Sequence, residues 1–126
     1  MRFPRRMALT ASTFLALTVP LGCNDSKPST SSSTTEATVK GVVKIDGKLV
    51  DQGDIIFDPS NYQRQTTSRT APIAKDGSYE IKTLVGDNSI KLGGAVAKKS
   101  PILQTLKRSY TVQSGENTFD FEGSGK

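Results

Sequence analysis

Between Thr38 and Glu122 the apolar residues fall at every second position, in short runs separated by Asp-Gly, Gly-Asp and Ser-Gly dipeptides. A period of two places alternate side chains on one face of a strand, whereas a helix needs apolar residues three and four apart. No stretch here sustains the helical spacing, so the pattern predicts an all-β domain. Val39, Gly41, Val43 and Ile45 share one face of a first strand, with Lys40, Val42 and Lys44 on the other. Asp46-Gly47 predicts a hairpin turn, because glycine accepts the positive φ that tight hairpins require. The next strand, Gly53 to Asp58, sends Ile55 and Phe57 inward and is stopped by Pro59, which lacks an amide donor.

The polar run Asn61 to Ser68 reads as a loop. Thr70 to Ala74 then forms a strand, Asp76-Gly77 a second tight turn, and Ser78 to Leu84 its partner, with Tyr79 and Ile81 on one side. Val85-Gly86-Asp87-Asn88 reads as a turn before a strand from Ser89 to Ala97, where Gly93-Gly94 suggests a bulge or a close backbone approach. Lys98 to Lys107 admits two readings: one helical turn carrying Ile102, Leu103 and Leu106, or an irregular loop imposed by Pro101. The chain closes with Tyr110 to Gln113, a Ser114-Gly115 turn, and Asn117 to Glu122, with Phe119 and Phe121 facing inward beside Tyr110 and Val112. About seven strands, none amphipathic enough to stand alone, predict an antiparallel two-layer β-sandwich over residues 38–122, followed by a disordered tail, 123–126. An open barrel is the structural alternative.

The composition removes several chemistries. Cys23 is the only cysteine, so no intramolecular disulfide forms, and histidine is absent, which removes the usual proton shuttle and the commonest metal ligand. A serine triad lacks its imidazole, and no motif marks a Ser-Lys dyad. No catalytic, cofactor or metal residue is assigned. Asp46, Asp51, Asp54 and Asp58 are the carboxylates a calcium ion would have to gather, but Asp46 and Asp76 each precede glycine and read as turn formers. An isopeptide bond from Lys40 or Lys44 to Asn117 would need a buried carboxylic acid that the pattern does not supply. The formal charge of +5 is inflated by Arg2, Arg5 and Arg6 at the N-terminus, and the small remainder gives no reason to expect nucleic acid.

Those three arginines open a segment of different character. They precede an apolar run from Met7 to Leu21 that is too short and too rich in hydroxyls for a permanent membrane span. Residues 1–22 therefore read as an export signal. Leu21-Gly22-Cys23 resembles the lipobox of bacterial lipoproteins, with Pro20 in the place usually held by leucine. That resemblance implies a diacylglyceryl thioether on Cys23, which becomes the new N-terminus. Two or three acyl chains make a durable anchor where one is marginal. Residues 23–37 carry Ser26, Ser29 to Ser33, Thr30, Thr34 and Thr35, cannot offset their ordering entropy by burial, and read as a flexible tether of roughly 20 Å mean span. The expected location is the cell envelope, bound to a membrane. Asn24 stands where some bacteria place an inner-membrane retention aspartate, which favours the outer membrane.

Val39-Lys40-Gly41-Val42-Val43, Asp46-Gly47-Lys48, Gly53 to Pro59, Asp76-Gly77-Ser78-Tyr79-Glu80-Ile81 and Gly115-Glu116-Asn117-Thr118-Phe119 together resemble the carboxypeptidase regulatory-like, transthyretin-like domains of small bacterial lipoproteins. Val85 to Ile90 stands where such domains carry a Pro-Gly-x-Tyr turn. The resemblance implies a prealbumin-like sandwich and a non-catalytic interaction or structural role in the envelope. The related 5-hydroxyisourate hydrolases use histidines and a C-terminal Tyr-Arg-Gly-Ser, neither of which this chain has. Envelope proteins and polysaccharides are the expected partners, met by the loops Ser60 to Arg69 and Lys98 to Ser109. Tyr62 is the one aromatic ring free to stack on a sugar.

Overall fold

The computed structural model describes residues 31–126; the signal segment, Cys23 and the first part of the tether lie outside them. The fold is an all-β sandwich of two sheets built around one long first strand. That strand, β1 (Glu36–Ile45), pairs antiparallel with β5 (Ser78–Leu84) and, at its end, with the two-residue β2 (Lys48–Leu49). It also pairs in parallel with β8 (Glu116–Thr118) and then β9 (Phe121–Gly123). The second sheet has the order β4-β3-β6-β7, from β3 (Asp54–Asp58), β4 (Arg69–Pro72), β6 (Gly86–Gly93) and β7 (Lys107–Val112), all antiparallel. Among the described residues nine strands result instead of about seven, because β2 is a stub and the final strand is broken in two.

The parallel pairing departs from the expected wholly antiparallel arrangement for a topological reason. The chain leaves β7 in the second sheet and crosses through Gln113 to Gly115 to reach the first, so β8 arrives running the same way as β1. Between β8 and β9 the ladder is interrupted, and the Asp120 carboxylate takes over as acceptor for the Val42 amide at 3.0 Å. The adjacent Phe119 amide still donates to the Lys40 carbonyl. Gly41 sits directly against this break: a Cβ there would collide with the Phe119 carbonyl, so only glycine lets the backbones approach.

The alternation read from the sequence is what fills the space between the sheets. Val39, Val43, Ile55, Phe57, Ile81, Ile90, Leu92, Val112 and Phe121 are all buried. Tyr110 and Phe119 are half-buried at the margin, with their rings 4.9 Å apart. Burying each large side chain contributes roughly 1.5–3 kcal/mol, which in a domain without disulfides is the main source of stability. Asp46 and Gly47 both have positive φ, the geometry of a two-residue hairpin turn matched to strand twist.

Three boundaries move. The strand expected from Ser89 begins at Gly86, and its far end turns at Gly94 (φ 64°) into a helix, α1 (Gly94–Lys98). The ambiguous stretch after it is a second helix, α2 (Pro101–Thr105), started by Ser100, whose hydroxyl accepts from the Ile102 amide, with proline at the first position. The tail is tied down: the Asp46 carboxylate accepts from the Ser124 hydroxyl and the Gly125 amide, and the Ser100 hydroxyl donates to the Gly125 carbonyl.

Candidate functional site

The end of the sandwich where the chain enters is organised by Arg64, a residue the sequence places in a polar loop. The residue is buried, at 5% exposure. It donates to the carbonyls of Pro59 (2.9 Å), Ser33 (2.6 Å), Val85 (2.7 Å) and Asp87 (3.3 Å). No carboxylate partner is needed because planar N–H donors in a fixed fork can be satisfied by backbone oxygens alone. Asn61 completes the arrangement: its side-chain oxygen accepts from the amides of Gln63 and Arg64, and its amide group donates to the Ser31 carbonyl. The residues from Ser31 to Thr35, expected to belong to the tether, are therefore bonded to the sandwich, and β1 starts at Glu36 rather than at 38.

The neighbouring corner explains why Val85 to Asn88 does not make an ordinary loop. The chain passes from β5 in one sheet to β6 in the other through Val85 alone, with Gly86 at φ 103°. Asn88 is buried within β6; its amide nitrogen donates to the Leu84 and Gly86 carbonyls, and its oxygen accepts from the Thr83 hydroxyl at 2.6 Å. A side chain replaces the backbone bonds that so sharp a corner forfeits.

Held by these bonds, the loop displays Tyr62 at 82% exposure. Its neighbour Asn61 lines a cleft of about 220 Å³ together with Asp58, Ser60, Asp87, Asn88, Ser89 and Ser109. Both carboxylates of its lining are already engaged: Asp58 accepts from the Ser60 amide and hydroxyl, and Asp87 from the Thr111 hydroxyl.

The two loops expected to carry a binding surface meet where Ser60 and Ser109 line this cleft. Ser60 to Arg69 belongs to the end where the chain enters, whereas Lys98 to Thr105 is folded into α1 and α2 at the opposite end, and β7 runs back from there to bring Ser109 to the cleft. At that opposite end Leu49 (53%) and Ile102 (46%) are exposed.

The remaining candidates have specific roles. Asp46 holds the tail, and the Ser124 hydroxyl, then the Gly125 amide, keep its carboxyl below the usual carboxylate range. The Ser78 hydroxyl and amide do the same for Asp76. Among the described residues no group of three or more histidine, cysteine, aspartate or glutamate side chains is placed to hold a metal ion. Asn117 is buried, and its amide caps the Ser114-Gly115 turn through Gln113 and reaches the Thr38 carbonyl. Lys40 faces solvent near Glu80 and Glu116, each 4.0 Å away, so this one of the two lysines considered for an isopeptide bond points away from the buried Asn117. The Tyr79 hydroxyl donates to the Phe119 carbonyl, and burial, reinforced by the Asp120 charge, raises its pKa well beyond the phenol range. Cys23, the proposed lipid attachment point, lies outside the described residues.

No family model matches the chain. No curated protein matches it either. Its fold is shared with a DUF3823 family protein from Parabacteroides merdae ATCC 43184 at a TM-score of 0.53 and 12% identity, over 70% of this chain and 45% of that one. A DUF3823 family protein from Bacteroides ovatus ATCC 8483 superposes equally well, at a TM-score of 0.53 and 23% identity, over 69% of this chain and 43% of that one. The chain thus spans less than half the length of either protein, and at these identities the likeness concerns the fold.

Proposed function

We propose that this protein is a non-catalytic, lipid-anchored display module of the bacterial cell envelope, of the carboxypeptidase regulatory-like, transthyretin-like kind. The observation that carries the reading is the order of features along the chain: basic start, short apolar run, Gly22-Cys23, Ser/Thr-rich spacer, sandwich. The way the spacer joins the fold supports it. Arg64 clamps Ser33 at one end of the sandwich, so an anchor at Cys23 holds that end near the bilayer and leaves the end bearing α1, α2 and β2 to face outward. Intact-mass analysis of protein from the native host tests the anchor. The expected species begins at Cys23 and carries diacylglycerol and acyl mass, incorporates labelled palmitate, and leaves the membrane fraction in a Cys23→Ser variant. A free thiol at Cys23 overturns the reading.

A second reading, carbohydrate or cell-wall binding, rests on Tyr62. An exposed ring next in sequence to Asn61, which lines a cleft of hydroxyls, carboxylates and amides, offers one face for a sugar to stack on and polar groups for its hydroxyls. Retention on purified envelope polysaccharide, abolished by Tyr62→Ala, is the outcome that would favour it over protein interaction.

A further inference from the structure

The end of the sandwich opposite Arg64 holds a groove of about 350 Å³ between the β1–β2 hairpin and the two helices. Its walls are apolar: Ile45, Leu49, Val50, Val96 and Leu103. Lys48 and Lys99 stand on the rim with Asp51, and neither lysine makes an ion pair among the described residues. The nearby carboxylates of Asp46 and Asp76 accept hydrogen bonds from Ser124, Gly125 and Ser78, and among the described residues neither these nor Asp51 forms an ion pair with Lys48 or Lys99. Lys75, in the turn that packs Gly77 against Leu49, and Lys98 add further exposed positive charge. Leu49 is half exposed on the groove wall and Ile102 precedes the lining Leu103, so this end carries apolar surface that the core does not use.

We infer that this groove binds a peptide segment of a partner protein in which a large apolar side chain is flanked by carboxylates. The volume suits one bulky side chain with part of its neighbour, and unpaired rim ammonium groups are complementary to acidic flanks. A concave slot also fits an inserted side chain better than a bilayer, which engages protruding surfaces. Following the anchored reading above, the slot faces away from the protein's own membrane, which again favours a protein partner over lipid.

Fluorescence anisotropy with the full chain in detergent tests this, using two labelled pentapeptides: a phenylalanine with two glutamates on each side, and the same with lysines. Saturable binding of the acidic peptide alone is expected, weakened at least ~10-fold by the double change Lys48→Glu with Lys99→Glu and by Leu49→Asp. All three positions are exposed, so thermal unfolding of the variants should match the parent. Lack of acidic-peptide binding, equal binding of the lysine peptide, or indifference to the substitutions overturns the inference. So does binding of the Cys23→Ser protein to phosphatidylglycerol vesicles through the same three residues with no peptide binding. The groove and the anchor fail separately: a free thiol at Cys23 in protein that still binds the acidic peptide removes the anchor and leaves the groove.

Discussion

Arg64 joins three segments distant in sequence, the N-terminal approach, its own loop and the β5–β6 corner, chiefly through backbone carbonyls, with the Ser31 hydroxyl as a longer contact at 3.4 Å. Truncating it to alanine removes four hydrogen bonds to carbonyls at once and leaves those partly buried groups short of a donor, with only Val85 keeping one from the Ser31 hydroxyl, which costs about 3 kcal/mol, a large share of the stability of a small domain. Urea denaturation of Arg64→Ala should show that loss. Arg64→Lys should recover only a minor part of it, because an ammonium on a single stem cannot reach four carbonyls in a plane. Tyr79 gives a prediction in pH. Its folded pKa is raised above its unfolded value near 10, so the native state keeps a proton that the unfolded chain releases, and stability falls as pH climbs past ~10. The parent should be about 1.4 kcal/mol less stable at pH 11 than at pH 9 from this group, a difference measured against Tyr79→Phe, in which it should vanish. An equal alkaline loss in both proteins would place the titration elsewhere.

The strands were legible wherever alternation and a turn dipeptide agreed, as in β1 with Asp46-Gly47, β3 ending at Pro59, and β5 after Asp76-Gly77. What escaped were residues whose side chains stand in for backbone. Arg64 and Asn88 are polar and look like loop residues in a sequence, yet both are buried because they satisfy carbonyls at a corner, a role with no periodicity. Asp120 is a third case, an acidic residue inside what reads as one strand that replaces a ladder acceptor and splits the strand into β8 and β9. Loop composition identifies exposed segments but not which end of a sandwich they occupy: Ser60 to Arg69 lies where the chain enters, Lys98 to Thr105 at the other end, and only the run of β7 brings Ser109 back beside Ser60. The break also yields an element-scale prediction. Gly41→Ala drives a methyl group into the Phe119 carbonyl, which cannot yield without losing its bond from Tyr79. The expected cost exceeds ~3 kcal/mol, well above the ~1 kcal/mol of a typical substitution, with β8 and β9 amides losing hydrogen-exchange protection before β3 and β6.

At the scale of the molecule, the first strand is completed by the last. β1 forms the spine of its sheet, yet one edge is covered only when residues 116–123 arrive, and the Val42 to Asp120 contact closes a separation of 78 residues. Contacts so distant must overcome most of the loop-closure entropy before they contribute, which puts folding in the slow, millisecond-to-second range of non-local β topologies. A chain cut after Gly115 loses the buried Phe121, the Asn117 cap and every partner on that edge of β1, leaving unpaired donors beside an opened core. Such a chain should show no cooperative urea transition by circular dichroism. A synthetic peptide covering Glu116 to Lys126, added in excess, should restore it, because the missing piece is a docking strand and not a scaffold. A cooperative transition in the truncated chain alone would show that the second sheet carries the fold and would demote β1 from spine to edge.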